Sequence, residues 1–196
     1  MQDVDRELAR KWDQRHASAL GSGSVAGLLL ENNHLLPRKG EALDLACGRG
    51  ASALYLARRG MRVTAWDLSA VAIDRLQQSA REQGMTIACA VRDVIAFPPG
   101  PGSFDLILVS YFLERALAPA IIQALRPGGL LFFETFCVDA VSDSGPSNPA
   151  FRLGRNELLA LFRPLEVVFY RVEGRIGETR LGVRDIAQLV ARKPPE

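Results

Sequence analysis

No apolar run in this sequence approaches membrane-spanning length, and residues 1–15 are charged where a secretory leader would be apolar. These two absences predict a soluble, cytoplasmic chain without a membrane partner. Cysteine is scarce: Cys47, Cys89 and Cys137 are far apart, odd in number, and match no metal-ligand spacing. Reduced packing thiols and no metal are expected. Lysine and arginine form no block, and a formal net charge of +2 spread along the chain leaves no electrostatic footprint for nucleic acid. Only two histidines occur, His16 and His34, both ahead of the first predicted strand and in no recognisable catalytic arrangement, so each reads as a surface or capping residue.

What is present is an alternation. Apolar runs over residues 42–46, 62–66, 86–90, 104–109 and 130–135 are separated by segments of helical spacing over 51–59, 69–83 and 115–125. A further helix over 155–162 precedes two apolar runs, 165–172 and 183–191, which suit an antiparallel hairpin at a sheet edge. The 196 residues, 48% hydrophobic, suit a single domain. Its parts are an N-terminal helical cap and link (1–38), a cofactor-binding core (39–136), and a loop, helix and edge hairpin (137–196). The fold class expected is α/β: a Rossmann-like, doubly wound, mostly parallel seven-stranded sheet with an antiparallel edge hairpin and helices on both faces. The glycine-rich stretch 21–27 follows no strand and lacks phosphate-loop spacing, so it reads as a link. Before it, residues 5–20 form a candidate helix carrying Trp12.

The most informative segment is Leu43-Asp44-Leu45-Ala46-Cys47-Gly48-Arg49-Gly50, a strand running into a glycine turn and then a helix. Residues 48–53 fit a dinucleotide fingerprint, but Asp44 argues against a pyrophosphate. A carboxylate about 6 Å from a phosphate charge repels it by roughly 3 kcal/mol at an effective dielectric near 20. The same carboxylate attracts the amino group and sulfonium of S-adenosylmethionine.

In an open parallel sheet, ligands sit beyond the carboxyl ends of the strands. After the second strand comes Asp67, a candidate for the ribose hydroxyls or a helix cap, with Ser69 beside it able to do the capping. Asp67→Ala is expected to weaken cofactor binding severely and leave the fold intact, because the position reads as a solvent-facing strand terminus. After the third comes Asp93, suited to the adenine amino group or to an ordinary loop. After the fourth come Ser110 and Tyr111, of which Tyr111 is the candidate for positioning the methyl acceptor, as the sole residue assigned to catalysis. Residues 138–151 form either a lid or a plain connection. Arg152, Arg155, Arg180 and Arg184 would recognise an anionic acceptor if they converge and otherwise serve as surface pairs.

With residues 43–50, Trp66-Asp67-Leu68-Ser69, Arg92-Asp93-Val94 and Leu125-Arg126-Pro127-Gly128-Gly129, the chain resembles the class I S-adenosylmethionine-dependent methyltransferases over roughly residues 40–136. Trp12-Asp13-Gln14-Arg15 is similar to the small bacterial tellurite-resistance and thiopurine methyltransferase branch. Cys47 departs from the family motif, which more often has glycine there. The resemblance implies S-adenosylmethionine as cofactor, held by Trp12, Asp44, Ala46, Gly48, Gly50, Asp67, Leu68, Asp93, Val94 and Ser110. Trp12 would close over the cofactor or anchor its helix. A small-molecule acceptor follows, a chalcogen oxyanion or thiol among the candidates. An NAD-dependent oxidoreductase and a non-catalytic cofactor-binding regulator are the rival readings, and oligomeric state stays open.

Overall fold

The computed structural model describes residues 3–18, 21 and 23–195, so Ala19, Leu20 and Ser22, within the predicted helix and link, lie outside the described residues. The chain divides into two compact units, Met1–Pro98 and Pro99–Glu196.

The first unit runs α1 (Asp3–Ser18), α2 (Gly27–Glu31), β1 (Glu41–Leu45), α3 (Ala51–Arg58), β2 (Arg62–Asp67), α4 (Ala70–Glu82) and β3 (Ile87–Val91). Its strands lie in the order β3-β2-β1, and both pairs are parallel. β1 is buried over four of its five residues, as a strand covered on both faces requires. α4 buries Ala72, Ile73, Leu76 and Ala80, one stripe at helical spacing, and Ser69 caps it by accepting from the Ala72 N–H. Leu76 is fully buried, a burial that stabilises by roughly 1.5–3 kcal/mol. Because the pairs are parallel, Asp44 and the glycine turn, Asp67, and Asp93 all emerge at one edge of this unit's strands.

The second unit runs β4 (Phe104–Ser110), α5 (Ala118–Ala124), β5 (Leu125–Phe136), α6 (Glu157–Leu161), β6 (Glu166–Arg171) and β7 (Ile186–Arg192). Its order is β4-β5-β7-β6: β4 and β5 are parallel, while β7 is antiparallel to both β5 and β6. Across the two units the strands number seven, with the expected parallel pairs and the expected edge hairpin.

Several boundaries differ from expectation, two of them with a clear local cause. The helix predicted over 115–125 starts as a 3-10 turn, Arg115–Leu117, and becomes α-helical only at Ala118, with Pro119 in the first turn where its missing N–H costs nothing. β5 begins at Leu125 rather than Leu130. Its Pro127-Gly128-Gly129 segment breaks register with β4 between Phe104 and Leu106, and the glycines pair instead with the chain after β7: Gly128 N–H donates to Lys193 O at 3.0 Å, and Lys193 N–H to Gly129 O at 2.9 Å. On the outer strand, Val167 pairs with Ala191 and Phe169 with Val190, which leaves Val168 as an extra residue in a bulge.

Candidate cofactor site and acceptor face

In the first unit the glycine turn is tightly specified. Gly50 has φ +78°, and a Cβ there would run into the side chain of Leu76. Ala46, at φ 56°, is a non-glycine residue in the left-handed region, a local strain of the kind that collects at ligand sites. Asp44 closes β1 just before this turn. It is 1% exposed, and neither carboxylate oxygen meets a donor in full hydrogen-bond geometry, the Ala53 N–H acting on it only weakly. Burial first, and the charge of Asp67 second, push its pKa up to about 7, with the Ala53 N–H the smaller opposing influence.

Asp67 is not the solvent-facing strand terminus that the sequence suggested. It is 8% exposed, accepting from the Gly48 N–H through Oδ2 and from the Ser69 N–H through Oδ1, each at 2.8 Å. Asp67→Ala therefore removes a tie between the glycine turn and the start of α4, and the expectation of an undisturbed fold is withdrawn. Ser69 does cap α4, as expected. Leu68 is half-buried between these two residues, and Val94 is buried. Asp93 accepts the N–H groups of Ile95 (2.9 Å) and Ala96 (3.1 Å) through Oδ1, so it builds its own turn. Arg92 lies over the Trp66 ring at 4.0 Å and donates to Phe97 O and Pro98 O, holding that turn in place.

α1 covers this edge, which sequence reasoning did not foresee in detail. Asp13 Oδ1 accepts from Ser69 Oγ at 2.5 Å and from the Val71 N–H at 3.2 Å, and Arg75 donates to Ala17 O at 2.9 Å. Arg49, in the glycine turn, donates to Gly21 O at 2.5 Å. Trp12 is half-buried and stacks on His16, with ring centroids 6.0 Å apart, while Arg15 lies 5.3 Å from the Trp12 ring. His16 is not a plain surface residue: it is half-buried and so near the turn that a Cβ on Gly48 would sit 3.4 Å from its Cε1. Burial lowers its pKa, opposed by Asp67 and reinforced by Arg49 and Arg15. Its helical spacing of four from Trp12 was the available signal. Cys47 keeps its proton, because burial and the charges of Asp44 and Asp67 hold its thiol well above the ordinary range.

In the second unit Ser110 ends β4 and Tyr111 follows at φ 55°, its N–H donating to Glu134 O at 2.8 Å and its ring tilted against Phe136 at 5.2 Å. The Tyr111 hydroxyl is raised by burial and then by the Glu134 charge, so it remains a hydrogen-bond donor. Residues 138–151 are anchored rather than slack. Arg152 donates to Pro146 O (2.8 Å), Cys137 O (3.1 Å) and Ser144 O (2.5 Å), and Asp185 accepts from the Val141 and Ser142 N–H groups.

The four arginines do not converge. Arg184 donates to the carbonyls of Leu181, Gly174, Ile176 and Glu178; Arg180 pairs with exposed Glu178; Arg155 is exposed.

An edge of parallel strands carrying a glycine turn, a buried carboxylate and a second carboxylate at the end of β2 is an arrangement suited to a nucleoside cofactor in Rossmann-like folds. Residues 42–129 match the family model described as a methyltransferase domain. The ubiquinone biosynthesis O-methyltransferase of Albidiferax ferrireducens is 32% identical over 180 residues, 84% of this chain and 71% of that protein. The tRNA 5-carboxymethoxyuridine methyltransferase of Escherichia coli (strain K12) is 38% identical over 105 residues, which are 48% of this chain and 40% of that protein. The match thus spans less than half of that relative's length. The S-adenosyl-L-methionine-dependent methyltransferase TehB of Haemophilus influenzae is 29% identical over 66% of this chain and 47% of its own length, in keeping with the tellurite-resistance branch. Among solved structures, the [4+2]-cyclase SpnF shares the fold, with TM-score 0.75 and 18% identity over 98% of this chain and 97% of that one. The chain belongs to the class I S-adenosylmethionine-dependent methyltransferase family, whose cofactor is S-adenosylmethionine.

Proposed function

We propose that this protein is an enzyme transferring the methyl group of S-adenosylmethionine to a small-molecule acceptor, as one functional domain spanning residues 1–196. The observation that carries the reading is Asp44, a wholly buried carboxylate at the glycine turn whose two oxygens meet no donor in full hydrogen-bond geometry. Burying such a group without compensation costs several kcal/mol on the order of magnitude usual for an unpaired ion, so the site wants a cation. A dinucleotide would bring a dianion to the same place. Among the rivals, this disfavours the NAD reading.

The residues that would hold the cofactor are Asp44, Ala46, Gly48 and Gly50 at the methionine end, Asp67 and Leu68 at the ribose, and Asp93 and Val94 at the adenine. Ser110 belongs to the same proposed set. Asp67 would exchange a backbone N–H for ribose hydroxyls, and Asp93 would offer adenine what its local turn leaves. Trp12 and His16, on the helix pinned by Asp13, would exclude water from above. When bound, the cofactor supplies an electrophilic methyl on a sulfonium, so the protein's part is orientation and exclusion of water, effects that contribute roughly 7–11 kcal/mol. Tyr111, a donor on a strained backbone, is the proposed acceptor-positioning residue.

The relatives' names bring two acceptor classes, a modified uridine in tRNA and a quinone precursor, and the resemblance to the tellurite-resistance branch adds a chalcogen oxyanion or thiol. The even charge distribution favours a small molecule over tRNA. Titration calorimetry with S-adenosylmethionine, S-adenosylhomocysteine and NADH, followed by turnover of labelled donor, tests the reading. Heat with NADH alone would overturn it, and tight cofactor binding without turnover on any acceptor would favour the regulatory rival.

A further inference from the structure

β3 ends the first unit's strand order β3-β2-β1, with β2 on one side and, among the described residues, no strand on the other. Its register with β2 runs unbroken from Ile87 to Val91. The usual protections of an edge are missing: Ile87-Ala88-Cys89-Ala90-Val91 holds no charge, proline, glycine or bulge. By contrast β6, the outermost strand of the second unit, has Glu166 and Arg171 at its ends and a bulge between them. The chain at and just beyond the end of β3 is bare as well, Val91 being 54%, Ile95 52% and Phe97 65% exposed. Such an edge accepts a further strand readily.

One hydrogen bond fixes which backbone groups face outward. The Arg92 N–H donates to Asp67 O on β2 at 2.8 Å. Because direction alternates along a strand, Ala88 and Ala90 also turn their N–H and C=O toward β2, and Ile87, Cys89 and Val91 turn theirs to the open side. The sequence of the strand reads almost the same in both directions about Cys89.

We infer that β3 pairs antiparallel with β3 of a second copy of this chain about a twofold axis at Cys89. Ile87 then lies opposite Val91 of the second copy, Ala88 opposite Ala90, and Cys89 opposite its own counterpart at a Cα separation of about 5.5 Å. Of the registers that the alternation allows, this one engages every outward N–H and C=O of the strand. Ile87 and Val91 are both β-branched and make a favourable cross-strand pair. No charge is buried between the strands: the nearest are Arg92 and Asp93 at one end and Arg81 and Glu82 near the other, so each end of the pair gathers both signs equally. The contact is isologous and covers the only edge it uses, so assembly closes at two copies. A foreign extended peptide has no need of a strand symmetrical in sequence, and a second copy does. Five residues span about 17 Å, which with three bare apolar side chains places the contact at the small end of specific interfaces, below about 1,200 Å². The dimer is accordingly weak, with Kd on the order of 10–100 µM. The inference rests on the strand edge alone and is independent of the methyl-transfer reading.

Sedimentation velocity on the full chain, from about 1 to about 500 µM, should show monomer giving way to dimer. Amide exchange followed by NMR over the same range reads the register. Ile87, Cys89 and Val91 should gain protection at least tenfold as concentration rises, while Ala88 and Ala90, bonded to β2, stay protected throughout. Val91→Lys sets a charge against Ile87 of the second copy and should raise Kd at least tenfold, with melting of the dilute protein unchanged because the position is already exposed. Should that variant not fold, a short bismaleimide added to the parent should join two chains through Cys89, giving a covalent dimer on a denaturing gel that Cys89→Ser abolishes. A monomer at every concentration, protection gained elsewhere than at the three outward amides, a dimer undisturbed by Val91→Lys, or cross-linking that survives Cys89→Ser overturns the assignment.

Discussion

Asp13 and Ser69, on helices more than fifty residues apart in sequence, meet at 2.5 Å, Ser69 Oγ donating to the Asp13 carboxylate while itself accepting from the Ala72 N–H. The first helix is thereby fastened to the N-cap of α4. Asp13 also accepts from Val71 N–H, so one carboxylate completes the capping that a single serine leaves unfinished.

Replacing Asp13 with Ala is therefore expected to release α1 without unfolding the strands of the first unit. The loss should be about 1 kcal/mol, as for a removed cap. Limited proteolysis would then cut within residues 3–18 sooner than in the parent, and cofactor affinity measured by calorimetry would fall several-fold. Unchanged proteolysis and unchanged affinity would show that α1 is not held by this contact.

Asp44→Asn carries a second expectation with two opposed signs. The raised pKa means that the folded protein holds a proton which the unfolded chain, with an ordinary aspartate, releases. Stability therefore falls as pH rises from about 4 to about 7 and is level beyond. Asn removes this dependence, so the variant should melt higher than the parent at pH 8 and show a flatter Tm profile between pH 4 and 7. Its affinity for S-adenosylmethionine should drop at least tenfold, because the attraction for the cation is gone.

In the parent, cofactor affinity should follow the same group in the other direction. A cationic ligand binds the charged form of Asp44, so affinity should weaken by up to about tenfold per pH unit below 7 and be level above it. Calorimetry in buffers of different ionisation enthalpy should register proton release on binding at pH 6 and little at pH 8.

Arg152 is expected to act through the segment that precedes it. Arg152→Ala deletes donors to Cys137 O, Ser144 O and Pro146 O, so hydrogen exchange over residues 141–151 should accelerate while cofactor affinity stays constant. Slow exchange retained there would mean that Asp185, with the Val141 and Ser142 N–H groups, holds the segment unaided.

The residues that the sequence made legible are those whose role is local. The glycine turn at Gly48 and Gly50 declares itself because a strand end, a left-handed turn and a helix start impose their own residue types within a few positions. Ser69 as a cap was readable for the same reason. The docking of α1 was not, since nothing in residues 3–18 announces that Asp13 will meet Ser69, and His16 was consequently read as a surface residue. For Arg152 and Arg184 the sequence left anion recognition and surface pairing both open, and neither anticipates that each folds back on nearby backbone carbonyls, a use that leaves no pattern. Gln188 and Glu134 lie in apolar runs, where a single polar residue per strand carries no signal until register places the two side by side.

The bulge at Val168 has a consequence for handling this protein. β6 is the outermost strand of its set, and Val167 and Val168 lie exposed upon it. An uninterrupted strand with two adjacent bare valines would offer neighbouring chains a template for edge-to-edge growth, and the single surplus residue kinks that template. Deleting one residue here to tidy the hairpin would restore regular spacing and, with it, a tendency to precipitate at the concentrations calorimetry needs.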